Sequence, residues 1–236
     1  MNDESGPVSQ VLAAVTRSLG PSSRDAGLDG TLRRITSTAV QALPGVDFAS
    51  ISIMYDDGRL ETKAPTDDIC SRLDTKQYEL HEGPCYEVVA DEGVVRSQHV
   101  ATDSRWPAYA PIAADAGIGS QMALEVYRNH ASRGGLNLYS LSPGMLGDHD
   151  TPAAELFATY AAVAMGYAYE VENLNDALAT RKVIGQAIGI VMERYGMSED
   201  RAFAFLVRVS QTGNVKLRLV ADEIVGRTPP QRKPTA

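Results

Sequence analysis

Ten side chains toward the C-terminal end of this 236-residue chain have the types and spacing to grip a polyanion. Arg181, Lys182 and Gln186 fall in one helical stretch. Arg201 and Arg208 stand seven residues apart in the next, hence on roughly one face. Lys216 and Arg218 open a third, beside backbone N–H groups able to take a phosphate. Ser210, Gln211 and Asn214 cluster with Thr212 at the turn between the second and third stretches. Such short polar groups suit unpaired base edges, and they suit helix caps equally well. From Asp176 onward ten Lys/Arg stand against six Asp/Glu, a net +4, whereas the preceding residues sum to −12 of the total −8. An acidic body with a basic C-terminal segment points to a polyanion for that segment. A solvated bundle of unremarkable charge is the alternative.

Other reactive groups are sparse. The two cysteines, Cys70 and Cys85, form neither a disulfide framework nor a metal cluster, so reduced thiols are expected. Cys85 sits where a short helix opens, and there a dipole can lower a thiol pKa toward redox sensing. A buried structural cysteine is the reading that fits two isolated cysteines better. Trp106, with Tyr109 nearby, either lines a pocket mouth or fills the core, and the core is favoured. His81, His99, His130 and His149 show no ligand spacing. Gly117-Ile118-Gly119 lacks a third glycine and precedes a strand, so it is no phosphate loop. No metal, no cofactor and no enzymatic activity are expected.

The elements that must position these residues follow from periodicity. In the basic segment Ile184, Ala187, Ile188 and Val191 form one apolar stripe ended by Tyr195-Gly196. Ser198 can N-cap a second helix carrying Ala202, Phe203, Leu206 and Val209, broken at Thr212-Gly213. Asn214 can cap a third, with Leu217, Val220, Ala221 and Ile224 on one face. Stripes this short bury themselves only against one another, which predicts a three-helix bundle.

The longer body begins with a helical segment through Val8, Leu12, Val15 and Leu19, then the linker Gly20-Pro21-Ser22-Ser23. Thr31–Leu43 is a second helix. From Asp47 the period changes to two, a strand that turns at Asp56-Asp57-Gly58 into a second over Arg59–Ala64. A helix through Ile69, Leu73 and Tyr78 follows, then a short one from Gly83-Pro84-Cys85 to Val89, a strand over Val94–Val100 and a helix over Pro107–Ala116. Strands over Ile118–Tyr127 and Leu136–Leu141 flank Ser132-Arg133-Gly134-Gly135, expected to be a hairpin turn. Pro152 starts a long helix. The order implies an α+β body, an antiparallel sheet with helices packed on it.

No proline interrupts the stretch from Pro152 to Arg194. Tyr160, Val163, Tyr167, Val171, Leu174 and Leu178 step by 3, 4, 4, 3 and 4, a seam suited to a two-helix coiled coil. Tyr167, Val171, Leu174 and Leu178 therefore form the candidate homodimer contact. No apolar run reaches membrane-spanning length and no signal peptide is evident, so a cytoplasmic protein without membrane contact is expected. The organisation reads as residues 1–27, an N-terminal helical or flexible segment; 28–170, the α+β body; 171–226, coiled coil and bundle; and 227–236, a disordered tail.

The run Leu178-Ala179-Thr180-Arg181-Lys182-Val183-Ile184-Gly185-Gln186-Ala187-Ile188-Gly189 through Tyr195-Gly196 resembles the first helix of the ANTAR family. Ala202-Phe203, Leu206, Arg208, Ser210, Asn214, Lys216-Leu217 and Val220-Ala221 are similar to its second and third helices. The body resembles a GAF domain over about residues 28 to 170 and carries Glu82-Gly83-Pro84-Cys85 and Asp103-Ser104-Arg105-Trp106-Pro107, similar to strings of actinobacterial GAF-ANTAR proteins. This resemblance implies an RNA-binding transcription antitermination regulator. A GAF-like sensor, holding an unknown small molecule or nothing, would control an ANTAR domain that grips tandem RNA hairpins as a dimer. Ile188 departs from the pattern, since many members carry Lys there. A DNA-binding helix-turn-helix regulator and a GAF-type ligand sensor or reductase are the competing readings.

Overall fold

The computed structural model describes residues 7–18, 27–90, 93–128, 132–147 and 151–226. The chain divides into two compact units, residues 1–170 and residues 171–236.

The first unit is built on a five-stranded sheet of β1 (Phe48–Tyr55), β2 (Leu60–Lys63), β3 (Val94–Ser97), β4 (Ser120–Arg128) and β5 (Ser132–Ser140), in the order β2-β1-β5-β4-β3. Every pairing is antiparallel. Helices α1 (Pro7–Ser18), α2 (Gly27–Ala42) and the N-terminal part of α6 (Thr151–Tyr195) cover one face. Helices α3 (Asp68–Leu80), α4 (Pro84–Ala90) and α5 (Tyr109–Asp115) cover the other. This is the α+β architecture expected from the element order.

The period-two pattern of the strands sorts the two faces chemically. Ala49, Ile51 and Ile53 of β1, Met122, Leu124 and Val126 of β4, and Leu136 and Leu138 of β5 join one apolar core with Leu32, Ile35, Phe157 and Met165. Their neighbours Ser50, Ser52, Gln121, Asn137 and Tyr139 point the other way and are equally buried. An antiparallel sheet often turns its polar face to water; here that face is covered.

Several local expectations are corrected. Residues Ser132–Gly135 are not a turn: they belong to β5, where Gly134 and Gly135 pair with Ile53 and Ser52. A Cβ on Gly135 would come within 2.7 Å of Val88 Cγ1, so this glycine lets α4 lie close on the sheet, whereas one on Gly134 would meet Tyr127, Ile53 and Met165 on the opposite face. The Val94–Val100 strand stops at Ser97, and Val100–Thr102 form a 3₁₀ turn. In α1 the buried positions are Val11 and Val15, with Leu12 exposed; Val8 and Leu19 lie outside the described side chains. The Gly20–Ser23 linker, His130, His149 and the tail 227–236 also lie outside the described residues.

In the second unit the C-terminal part of α6, α7 (Glu199–Gly213) and α8 (Leu217–Gly226) enclose Ala187, Leu206, Val220 and Ala221. The three-helix bundle is as expected from its stripes. Its caps differ in detail. Ser198 occupies the N-cap of α7 without a side-chain cap bond, and the chain leaves α7 at Asn214, in the left-handed conformation with φ of 48°. Asn214 therefore ends α7, one residue beyond the Thr212-Gly213 break, and does not cap α8. Ile188 is half-buried and packs against the bundle core, so its apolar character serves packing.

Candidate nucleic-acid interface and sensor interior

The polar layer beneath α3, α4 and α5 is one connected network. Asp74 of α3, fully buried, accepts from Ser50 Oγ at 2.7 Å, Thr62 Oγ1 at 3.1 Å, Asn137 Nδ2 at 3.3 Å and the Tyr139 hydroxyl. Hydrogen bonds run in one direction toward it: Tyr109 donates to Gln121, Gln121 to Gln77, Gln77 to Tyr139, and Tyr139 to Asp74. Gln77 Oε1 also receives the Cys85 backbone N–H at 2.9 Å. Gly83 permits that approach, because a Cβ there would lie 2.3 Å from the same oxygen. Asn137 Oδ1 is the one atom of this network that is buried without a partner among the described residues.

Burial dominates the electrostatics. Desolvation raises the Asp74 carboxyl above its ordinary value, although hydrogen bonds from Tyr139, Ser50, Thr62 and Cys85 pull the other way. It also pushes the Tyr109 and Tyr139 hydroxyls up, with Asp74 adding to the effect. Cys85 is fully buried, 2.8 Å from Ser52 Oγ, and desolvation followed by the Asp74 charge holds its thiol well above the usual range. The lowering that a helix N-terminus could give does not prevail: α4 has seven residues, its dipole does not offset burial, and Cys85 is buried, as the favoured reading had it. Cys70 is likewise buried and its thiol is pushed up to about 12.

Trp106 is buried, with Nε1 donating to Glu87 Oε1 at 2.6 Å and the Arg105 guanidinium 4.2 Å from its ring centre. Glu82 Oε2 accepts the Ala108 and Tyr109 N–H groups, each at 2.9 Å. Each motif string is thus bound to a residue just beyond the other, Trp106 to Glu87 and Glu82 to Ala108 and Tyr109, fixing α4 against α5. Trp106 fills the core, as favoured. Among the described residues no group of His, Cys, Asp and Glu could hold a metal.

In the second unit Arg181, Lys182, Gln186, Arg201, Arg208, Gln211, Lys216 and Arg218 are all exposed. Two of the expected base-reading groups are engaged within the chain. The Ser210 hydroxyl donates to Val215 O at 2.6 Å, and Asn214 forms the α7 terminus. Arg218 lies 3.9 Å from Asp222, a loose surface pair. Arg201 and Arg208 make no ion pair among the described residues and share one face of α7.

An aromatic stands between them. Phe205 follows Arg201 by four residues and precedes Arg208 by three, so all three share that face. It is 39 % exposed, and its ring lies 6.3 Å from that of Tyr195, itself 58 % exposed. Sequence reasoning passed over both rings, although the helical offsets already placed Phe205 on the arginine face. Along α6, Val163, Leu174 and Leu178 are 68 %, 58 % and 64 % exposed, while Tyr167 is exposed and Val171 half-buried.

Residues 25–166 match the GAF domain family, and residues 172–225 match the ANTAR domain family. No curated protein matches the chain in sequence. Among solved structures, the chain resembles the GAF domain of a phosphoenolpyruvate-protein phosphotransferase from Coxiella burnetii at 15 % identity and TM-score 0.54, covering 72 % of this chain and 99 % of that one. A bacteriophytochrome from R. palustris aligns at 14 % identity and TM-score 0.55 over 80 % of this chain; the chain spans only 43 % of that protein. An N-acylhomoserine lactone dependent LuxR family transcription factor from Burkholderia cenocepacia aligns at 13 % and 0.53, over 67 % of this chain and 94 % of the other. At these identities the likeness is one of fold.

Proposed function

Since this chain belongs to the GAF domain family and carries an ANTAR domain behind it, we propose that it is an RNA-binding transcription antitermination regulator. The observation that carries this reading is the ANTAR match over residues 172–225, coincident with a bundle whose exposed cations include Arg181, Lys182, Arg201, Arg208 and Lys216. Phosphate contacts from such cations supply affinity, and unpaired loop bases supply sequence choice. The protein works as a homodimer paired along the exposed α6 positions Leu174 and Leu178, so that two bundles meet two tandem stem-loops. The GAF unit is the regulatory input, by a small molecule or through its own interior. The protein is a binder and not a catalyst, and it acts in the cytoplasm; among the described residues no helix is long and apolar enough to cross a membrane.

The test is competition between tandem stem-loop RNA and duplex DNA at matched salt, with sedimentation run in parallel. RNA preference by a species of twice the 25.3 kDa chain mass is expected, and Leu174→Lys with Leu178→Lys should give a monomer that binds RNA weakly. Preference for duplex DNA would instead favour helix-turn-helix use of α7 and α8, whose joining turn is short.

A further inference from the structure

We infer that Phe205, buttressed by Tyr195 and flanked by Arg201 and Arg208, is a stacking platform for one unpaired nucleobase of the RNA. This rests on the RNA reading above and assigns a residue that decides how the loop is held.

Core packing accounts for only part of the ring, which is 39 % exposed. Phe is a weaker helix former than Ala, Leu, Lys or Arg, and a surface position forfeits much of what burial would return. The bundle core is complete without it, built around Ala187, Leu206, Val220 and Ala221. The neighbourhood is chemically one-sided. From Arg201 to Thr212 there is no Asp or Glu, and cations lie four residues before and three after the ring. That combination suits a nucleotide: a flat apolar surface for the base and guanidinium groups for the adjoining phosphates. Loop bases are the ones free to reach it, because A-form stems keep their bases stacked and their major groove closed. Tyr195, at 6.3 Å and 43° from the Phe205 ring, widens the platform and limits its tilt. A second copy of the chain covering both rings is the competing occupant; were it to meet this face with the same face, arginines would oppose arginines with no acidic residue from Arg201 to Thr212 to pair them.

The test uses full-length protein. Tandem stem-loop RNAs with randomised loops are selected on the wild type, and 2-aminopurine is placed at each loop position of the winner. Wild type should quench the fluorescence of one position on binding. Phe205→Leu should abolish that quench and weaken binding about tenfold, with the salt dependence unchanged because no charge is lost. Phe205→Trp should retain both quench and affinity, which separates loss of stacking from loss of fold. If Phe205→Leu binds and quenches as wild type does, the platform is refuted while RNA binding stands. If Phe205→Leu sediments as a monomer, the rings belong to a protein contact and the inference is overturned. If selection on the wild type enriches no hairpin, the RNA reading falls and takes this one with it.

Discussion

Asp74 accepts four hydrogen bonds, from Tyr139, Ser50, Thr62 and Asn137, and none of its donors is a cation. Water would solvate a carboxylate better than this, so burial raises its pKa in the folded protein. The folded state then holds a proton that the unfolded chain releases. That contribution to stability is complete below the ordinary value of 3.8 and is lost as pH climbs through the raised one. Thermal melts of wild type and Asp74→Asn should therefore diverge with pH: the wild-type Tm falls relative to the variant as pH climbs from the ordinary carboxyl value through the raised one. Parallel curves would show that Asp74 keeps an ordinary affinity for its proton. Asp103 behaves oppositely, its carboxyl held down to about 2 chiefly by its hydrogen bond from Arg105, so its share disappears only in stronger acid.

At the scale of elements, the close seat of α4 on β5 depends on Gly135. An alanine there would drive its methyl toward Val88 Cγ1 at 2.7 Å and Val89 Cγ1 at 3.2 Å, and β-branched side chains have little rotameric freedom to retreat. Gly135→Ala should destabilise the protein by about 1–3 kcal/mol, outweighing the small entropic gain from removing a glycine; urea unfolding midpoints measure it. The same segment marks where sequence reasoning stops. The bundle was legible because its stripes recur at helical spacing, and β1 was legible because Ala49, Ile51 and Ile53 alternate with Ser50 and Ser52. Ser132–Gly135 misled, since adjacent glycines signal a turn by local chemistry, whereas their use here comes from a helix distant in the chain. Ser50 and Ser52 look like solvent-facing positions for the same reason: residues distant in the chain bury them, Asp74 of α3 against Ser50, and Tyr78 of α3 with Cys85 of α4 against Ser52. Among the candidate RNA residues, exposure was foreseeable for the arginines, but the inward bond of Ser210 to Val215 depends on how α7 ends. The 3, 4, 4, 3, 4 stepping along α6 averages 3.6 residues, the period of a straight helix, so a paired partner would run with little left-handed supercoil.

Across the whole molecule, the cationic face of α7 belongs to a protein with a net charge of −8. Which of the two an approaching RNA encounters first depends on distance. At about 0.01 M salt fields persist for roughly 30 Å, and the polymer is repelled by the protein as a whole. Near 0.1 M that reach shrinks to about 10 Å, and only the arginine face is felt. Stopped-flow association rates should accordingly rise from very low to moderate ionic strength and fall again beyond it, while equilibrium affinity only declines as salt is added. A rate that decreases from the outset would mean that the local cations dominate at every range. In dilute salt, then, the acidic bulk would act as a kinetic filter on polyanions still at a distance, whereas at ordinary ionic strength it would hardly slow one already presenting a loop at contact distance.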